Sequence, residues 1–390
     1  MFISILIKYF LLIMIFSFVD FEKAFDTVKW CALWSSLSGR GLPYCIIRSI
    51  RSLYEGSSYR VIHEKELDTP IQIAAGVKQG CLLSPLLFIF LLDDVMRRVA
   101  STPRGIKWNS NVLEDLDYAD DIALISPTIA QLEAKLRSLQ QEAEIMGLRI
   151  NKRKTVSMRI KTNSEVPLIL NGVSLESVSK FTYLGSVITS TGGADEDVAS
   201  RIKRAKPAFA QLKPVWESRV LTRRIKISLF ESIVKSTLLF GCETWRVTKG
   251  LTNQLQVFVN KSPRSILRIF WPKTILNEDL WTLCRQSPIA KEIALRKWRW
   301  IGHTIRRGAN NNANIAFKWR PPNGARTRGH PIHTHTRGAE ALTKSCGLLE
   351  LAGAKPRELP RTERRGGSYW RPDAPLGCCR NNNNNNNNKL

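Results

Sequence analysis

Two aspartates stand side by side in Leu116-Asp117-Tyr118-Ala119-Asp120-Asp121-Ile122-Ala123-Leu124-Ile125. Val112-Leu113 precedes this stretch, and β-branched and aromatic residues bound its acidic centre. The pattern predicts a tight hairpin that points carboxylates away from a sheet. Adjacent anions repel unless something positive sits between or above them. A divalent cation meets that need, since hard carboxylate oxygens suit Mg²⁺, which keeps waters and shares its shell with substrate phosphates. A solvated turn, where Asp is common, is the plainer alternative. Asp20 supplies a partner. It lies in Ser17-Phe18-Val19-Asp20-Phe21-Glu22-Lys23-Ala24-Phe25-Asp26-Thr27-Val28, an apolar strand that meets an acid and then turns helical. Three carboxylates from two strands can hold two Mg²⁺ ions, the arrangement that activates an attacking oxygen and stabilises a leaving one in phosphoryl transfer.

These residues need elements to hold them. After Asp20, the pattern from Asp26 to Leu37 predicts a helix that stops near Gly39 and Gly41. A second helix over Pro43 to Tyr54 places Ile46, Ile47, Ile50 and Leu53 on one face, and Tyr59 to Ile73 alternates weakly as a strand pair would. Ser84 as N-cap and Pro85 in the first turn start a helix that runs to about Val99. From Thr128 to Met146, Ile129, Leu132, Leu136, Leu139 and Ala143 keep helical spacing, and Gly147 closes the run. Short strands return between Ile169 and Thr189, with Asn171-Gly172 as a hairpin turn. In the next helix Val198, Ile202, Ala205, Phe209 and Leu212 form one face, with Arg201, Lys203, Arg204 and Lys206 around the other sides. Further helices are predicted from Thr222 to Leu239 and from Ile289 to Ile305.

Taken together the motifs resemble a known family. Asp20-Phe21-Glu22-Lys23-Ala24-Phe25-Asp26 resembles motif A of the non-LTR (LINE-type) reverse transcriptases, and Tyr118-Ala119-Asp120-Asp121 resembles motif C. Gly76-Val77-Lys78-Gln79-Gly80-Cys81-Leu82-Leu83-Ser84-Pro85-Leu86-Leu87-Phe88 is similar to motif B. Gly147 to Thr155 is similar to motif D, and Phe181-Thr182-Tyr183-Leu184-Gly185 to motif E. Five motifs in the family's order are far more specific than any one alone.

The resemblance implies an α+β fold: a ferredoxin-like palm, with an antiparallel sheet and helices on one face, followed by a helical thumb and a disordered basic tail. It implies an RNA-directed DNA polymerase that takes an RNA template, a DNA primer, deoxynucleoside triphosphates and two Mg²⁺ ions, with Mn²⁺ as a substitute. Asp20 and Asp120 become the main metal ligands and Asp121 a supporting one, with main-chain oxygens of Val19 or Phe21 completing the shell. Asp26 is expected to face away and anchor a helix start. Phe25 becomes the bulk beneath the incoming sugar that excludes a 2′-hydroxyl, although the residue alone reads equally as core. Gln79 and Gly80 become nucleotide contacts, and glycine permits close backbone approach. Lys154 becomes the general acid for the pyrophosphate leaving group, and Tyr183, Leu184 and Gly185 a grip on the primer end. Beside such a site, the basic helix of Arg201, Lys203 and Arg204 would track a nucleic-acid backbone.

Charge agrees with a polyanionic partner: 59 Lys+Arg stand against 33 Asp+Glu, a net +26. Residues 201–307 are themselves rich in Lys and Arg, so the tail is not the whole cause. The eight cysteines show no CxxC spacing, which points to a reducing compartment without a zinc site. Met1 to Phe16 is almost continuously apolar but short of the ~20 residues that a bilayer requires, and it flows straight into the motif A strand. A membrane anchor is therefore disfavoured, and a nuclear or cytoplasmic place is expected. Lys297-Trp298-Arg299-Trp300 could stack on bases or pack in a core. Beyond Asn310 Arg, Pro, Gly and polar residues dominate, and Asn381 to Asn388 is an unbroken tract, a composition that buries no core; His330, His333 and His335 carry no function there. The organisation expected is an apolar segment over 1–15, a palm over 16–190, a thumb with a helical extension over 191–310 and a tail over 311–390. With few residues before motif A and no endonuclease domain, the chain reads as a 5′-truncated copy. An inactive nucleic-acid-binding remnant is the alternative to a working polymerase.

Overall fold

The computed structural model describes residues 14–63, 66, 67, 69–108, 111–160, 162, 166–307 and 315. At its centre lie strands β1 (Met14–Val19), β2 (Asp115–Tyr118), β3 (Asp121–Ser126), β4 (Val156–Ile160) and β5 (Glu176–Ser177), in the spatial order β5–β4–β1–β3–β2. Neighbours run antiparallel except β4 and β5. A middle strand is covered on both faces and must be apolar on both. The sequence MIFSFV of β1 meets this demand, and all six of its residues are buried.

Helices α1 (Ala24–Thr27), α2 (Trp30–Gly39), α3 (Tyr44–Ser52), α4 (Ser84–Val99) and α5 (Ile129–Met146) accompany the sheet. Alternation along each strand sorts the core into two layers. Ile15, Val19, Ile122 and Leu124 join Phe88, Leu91 and Val95 of α4 and Leu132, Leu136 and Leu139 of α5. Met14, Phe16, Phe18, Ala123, Ile125 and Met158 turn the other way. There they meet Tyr183 and Ile188 of a hairpin made by β6 (Lys180–Tyr183) and β7 (Ser186–Thr189). Helices thus cover one face of the sheet and a hairpin part of the other.

The helix ends follow local chemistry. The Thr128 hydroxyl accepts the Gln131 N–H and caps α5, and Gly147 closes it at φ 92°. A Cβ on Gly147 would lie 2.4 Å from the Thr27 carbonyl oxygen, so the site demands glycine. The helix expected over Asp26 to Leu37 is broken between α1 and α2. Its peptide groups are used elsewhere: Val28 O accepts the Gly76 N–H at 2.8 Å, and Lys29 N–H donates to Met146 O at 3.0 Å. Ser84 is the first residue of α4 rather than its cap, with Leu83 in the cap position. The buried Ser84 hydroxyl instead lies 3.4 Å from that of Tyr54.

A second hydrophobic cluster gathers residues between 194 and 293. It is built by α6 (Asp195–Gln211), α7 (Lys213–Glu217), α8 (Arg223–Leu229), α9 (Lys249–Ile266), α10 (Asn277–Cys284) and α11 (Ile289–Arg306). Thr222 caps α8 as the sequence suggests, but residues Phe230–Lys235 continue it as a π-helix. That wider turn carries buried Lys235 to an ion pair with Glu292 of α11. Among the described residues no helix is long and apolar enough to cross a membrane. The first thirteen residues and the tail from residue 316 lie outside the described residues.

Candidate active site

The acidic hairpin forms where the pattern places it. Tyr118 pairs with Asp121 across β2 and β3, so Ala119 and Asp120 are the two-residue turn. Ala119 takes the left-handed conformation at φ 56°, which costs a residue with a Cβ about 1–2 kcal/mol. In the antiparallel pairing of β1 with β3, Val19 faces Ile122. The next step along both strands sets Asp20 against Asp121. By alternation these two share the face of Phe18 and Ala123, away from the helices.

Electrostatics brings the third acid in. The Asp121 carboxyl is pushed above its usual range by burial first and then by the carboxylates of Asp120 and Asp20. Asp20 Oδ2 is a buried oxygen with no hydrogen-bond donor among the described residues. Mutually repelling carboxylates with an unsatisfied anionic oxygen fit a divalent cation. Among the described residues no three His, Cys, Asp or Glu side chains converge into a finished ligand cage.

Asp20 is held from behind by the loop that follows α5. Its N–H donates to Thr155 Oγ1 at 3.3 Å, and its carbonyl accepts the Asn151 N–H at 2.8 Å. From the same loop Lys154 Nζ stands 3.8 Å from Asp20 Oδ2, with most of its side chain in solvent. The sequence pattern singled out Lys154 but neither Asn151 nor Thr155, whose parts are played through one main-chain and one hydroxyl contact.

The turn before α4 is fastened to the segment after Asp20. Val77 N–H donates to Phe25 O at 2.7 Å, and Trp30 Nε1 donates to Gly76 O at 2.8 Å. Gly76 sits at φ 90°, where a Cβ would lie 2.8 Å from the Asp26 carbonyl oxygen. Gln79 Nε2 donates to Asp26 Oδ1 at 3.0 Å. Asp26 stands exposed in the first turn of α1, as the sequence suggested, and also orients Gln79, which the sequence did not suggest. Gly80, at φ 81°, has open space where a side chain would be. The half-buried ring of Phe25 stacks on Phe88 of α4, centroids 4.8 Å apart.

The second hairpin reaches the acidic one through Tyr183. Its hydroxyl is shared between Leu116 O at 2.9 Å and Asp121 O at 3.1 Å. Burial, with Asp121, Asp117 and Asp115 nearby, pushes that phenol well above its usual pKa. Leu184 and Gly185 form the tip, both at positive φ. Arg201 does not lie on an outward basic face. It is 4% exposed, donates to Gly185 O and covers the Phe240 ring, its guanidinium carbon 4.4 Å from the centroid. Its Nε lies 3.9 Å from Asp197 Oδ1. The buried Asp197 carboxylate also accepts Val187 N–H at 2.9 Å and Trp245 Nε1 at 2.8 Å. This network locks the hairpin tip to α6. Arg204 reaches Gly185 O at 3.3 Å, and both Lys203 and Arg204 are exposed. Asp197 was missed; its sequence signal is the four-residue spacing to Arg201. Trp298 and Trp300 are half-buried in α11.

Comparison with known proteins gives the same direction. Residues 13–188 match the family model described as reverse transcriptase (RNA-dependent DNA polymerase). Residues 208–240 match a domain of unknown function. The chain is 27% identical over 253 residues to a transposon-derived protein of Caenorhabditis elegans, covering 63% of this chain and 89% of that one. It is 27% identical over 244 residues to the Pol polyprotein of a type-2 retrotransposable element of Drosophila melanogaster, covering 57% of this chain but 22% of the relative. With the RNA-directed DNA polymerase of the mobile element jockey, from the same fly, it shares 25% identity over 65% of its own length and 28% of the relative's. Against apo telomerase from Candida tropicalis the TM-score is 0.39 at 15% identity, covering 88% of this chain and 51% of that one.

Proposed function

Because this chain belongs, through residues 13–188, to the reverse transcriptase family as carried by non-LTR retrotransposons, we propose that it extends a DNA strand on an RNA template. One observation carries the reading: continuing the β1–β3 register past Val19 and Ile122 sets Asp20 against Asp121, both near Asp120, and Oδ2 of Asp20, though near Lys154, accepts no hydrogen bond among the described residues. Asp20 and Asp120 would hold two Mg²⁺ ions, or Mn²⁺ in their place, with Asp121 in support. Bound there, the metal would lower the pKa of the primer hydroxyl and neutralise charge on the triphosphate.

The chain's own residues do the rest. Lys154, 3.8 Å from Asp20, would give a proton to the departing pyrophosphate. Phe25, backed by Phe88, stands under the sugar and excludes a 2′-hydroxyl. Gln79, oriented by Asp26, and Gly80 meet the nucleotide. Leu184 and Gly185 present the primer end, and Tyr183 fixes their hairpin to the catalytic one. Lys203 and Arg204 meet the nucleic-acid backbone. Residues 16–190 then act as palm and 191–310 as thumb with a helical extension, working where the template is, in nucleus or cytoplasm.

The test is primer extension on an RNA template with Mg²⁺ and deoxynucleotides, comparing the chain with Asp120→Ala. Extension should fall at least ~10³-fold, beyond the ~10²–10³ typical of losing one preorganised electrostatic group. RNA affinity should stay within about twofold, since metal ligands serve chemistry more than backbone contact. No extension by either form, with salt-sensitive RNA binding by both, would replace the polymerase by a remnant that only holds nucleic acid.

A further inference from the structure

Tryptophan is normally well buried, and an exposed large aromatic surface marks a contact site more often than an accident. Trp271 is 88% exposed and its neighbour Phe270 60%. Neither ring belongs to a motif used above, and the tryptophans that the sequence offered for stacking, Trp298 and Trp300, are half-buried.

The loop that carries these rings is fixed at several points. Arg264 Nη2 donates to Ile275 O at 3.1 Å and to Asn277 Oδ1 at 2.8 Å. Lys273 N–H donates to Phe270 O at 2.9 Å, and Arg268 N–H to Ser265 O at 3.1 Å. Arg268 Nη2 also donates to Glu217 O at 3.2 Å. That bond ties the loop to the end of α7, next to residues 218–221, where Val220 is 91% exposed beside exposed Arg219. Buried Lys226 holds this second loop through Trp216 O and Ser218 O. The rings are therefore presented by anchored backbone, with Arg268 and Lys273 exposed on the same loop and Arg219 on the second.

Two classes of occupant meet that surface differently. A protein interface gathers aromatic rings and Arg but is depleted of Lys. Here Arg268 and Lys273 are exposed within three residues of the rings in sequence and Arg219 is exposed on the neighbouring loop, in a chain of net charge +26, which complements a polyanion. A duplex hides its base faces in the stack; a single strand offers them. We propose that the Phe270–Trp271 loop, with Arg219, Arg268 and Lys273, binds single-stranded nucleic acid by stacking bases on the two rings and pairing the backbone with the cations. This surface is separate from the carboxylate site, and its occupancy needs no turnover.

The experiment measures binding of the full chain, and of its Phe270→Ala/Trp271→Ala variant, to a labelled single-stranded RNA and to a blunt duplex of equal length. All forms carry Asp120→Ala, so failure here leaves the polymerase reading untouched and the reverse holds too. The double variant should lose at least about 30-fold in affinity for the single strand, two bases at about 5-fold or more each, and stay within twofold for the duplex. Trp271→Phe should recover most of the loss. Arg219→Ala/Lys273→Ala should lower the salt slope by about 1–2. Unchanged single-strand affinity, equal loss on both nucleic acids, or loss only of self-association in sedimentation would each overturn the proposal.

Discussion

Phe25 shows how a single ring can serve two readings at once. Its stacking on Phe88 makes it part of the core, and its half-exposure leaves a surface for a sugar. Phe25→Ala should raise ribonucleotide incorporation about 10- to 200-fold, the scale on which an apolar pocket separates small groups, as read from competing nucleotide extension. Lys154→Ala should cut the single-turnover rate about 10²–10⁴-fold, with little change in nucleotide KM, and Lys154→Arg should restore part of it. Asp115 predicts a pH effect. Burial, followed by Asp117, pushes its carboxyl up to about 6, with Lys135 opposing. A raised pKa means the folded state binds the proton more tightly, so this stabilisation is full below the usual 3.8 and lost as pH rises to about 6. Denaturation midpoints should fall across that window, and Asp115→Asn should flatten the fall. The hairpin that carries the acids proposed as metal ligands was legible because its residues are adjacent in the chain. The contacts of Asp26 and Asp197 were not, because their partners Gln79 and Trp245 lie 53 and 48 residues away.

Elements whose ends are set by their own residues were readable: α4 runs Ser84–Val99 and α5 Ile129–Met146, close to the pattern. Elements shaped by distant groups were not. The break between α1 and α2 depends on Gly76 and Met146 taking peptide hydrogen bonds there. Arg201 keeps the helical spacing of a surface cation, yet Asp197, Gly185 and Phe240 draw it inward. Its partner gives the prediction for this scale. Asp197→Ala strands a buried guanidinium and two N–H donors, and should cost about 3–5 kcal/mol in chemical denaturation. The milder Asp197→Asn should keep the fold while loosening the hairpin, raising primer-terminus KM more than it lowers kcat. Gly147→Ala should cost at least ~1–2 kcal/mol for the left-handed backbone alone, with more from its overlap with Thr27.

At the scale of the whole molecule, charge is the property that acts over distance. Nucleic-acid affinity should fall steeply with salt, and Lys203→Ala/Arg204→Ala should reduce the log–log slope by about 1.5–2, measured by titration at several ionic strengths. The sheet's strand order has a consequence of another kind. β1, six buried residues of which only Ser17 is polar, pairs with β3 and β4 on either side, so neither neighbour exists until residues 126 and 160 have been translated. At roughly 5–20 residues per second, Met14–Val19 waits about 5–20 s for β3 and about 7–30 s for β4. During that interval the strand has unpaired edges and two bare faces, the features that holdase chaperones and aggregates both capture. Ribosome stalling anywhere before β4 would release a chain unable to bury its own central strand, so quality control, not only catalysis, bears on how much of this protein a cell accumulates.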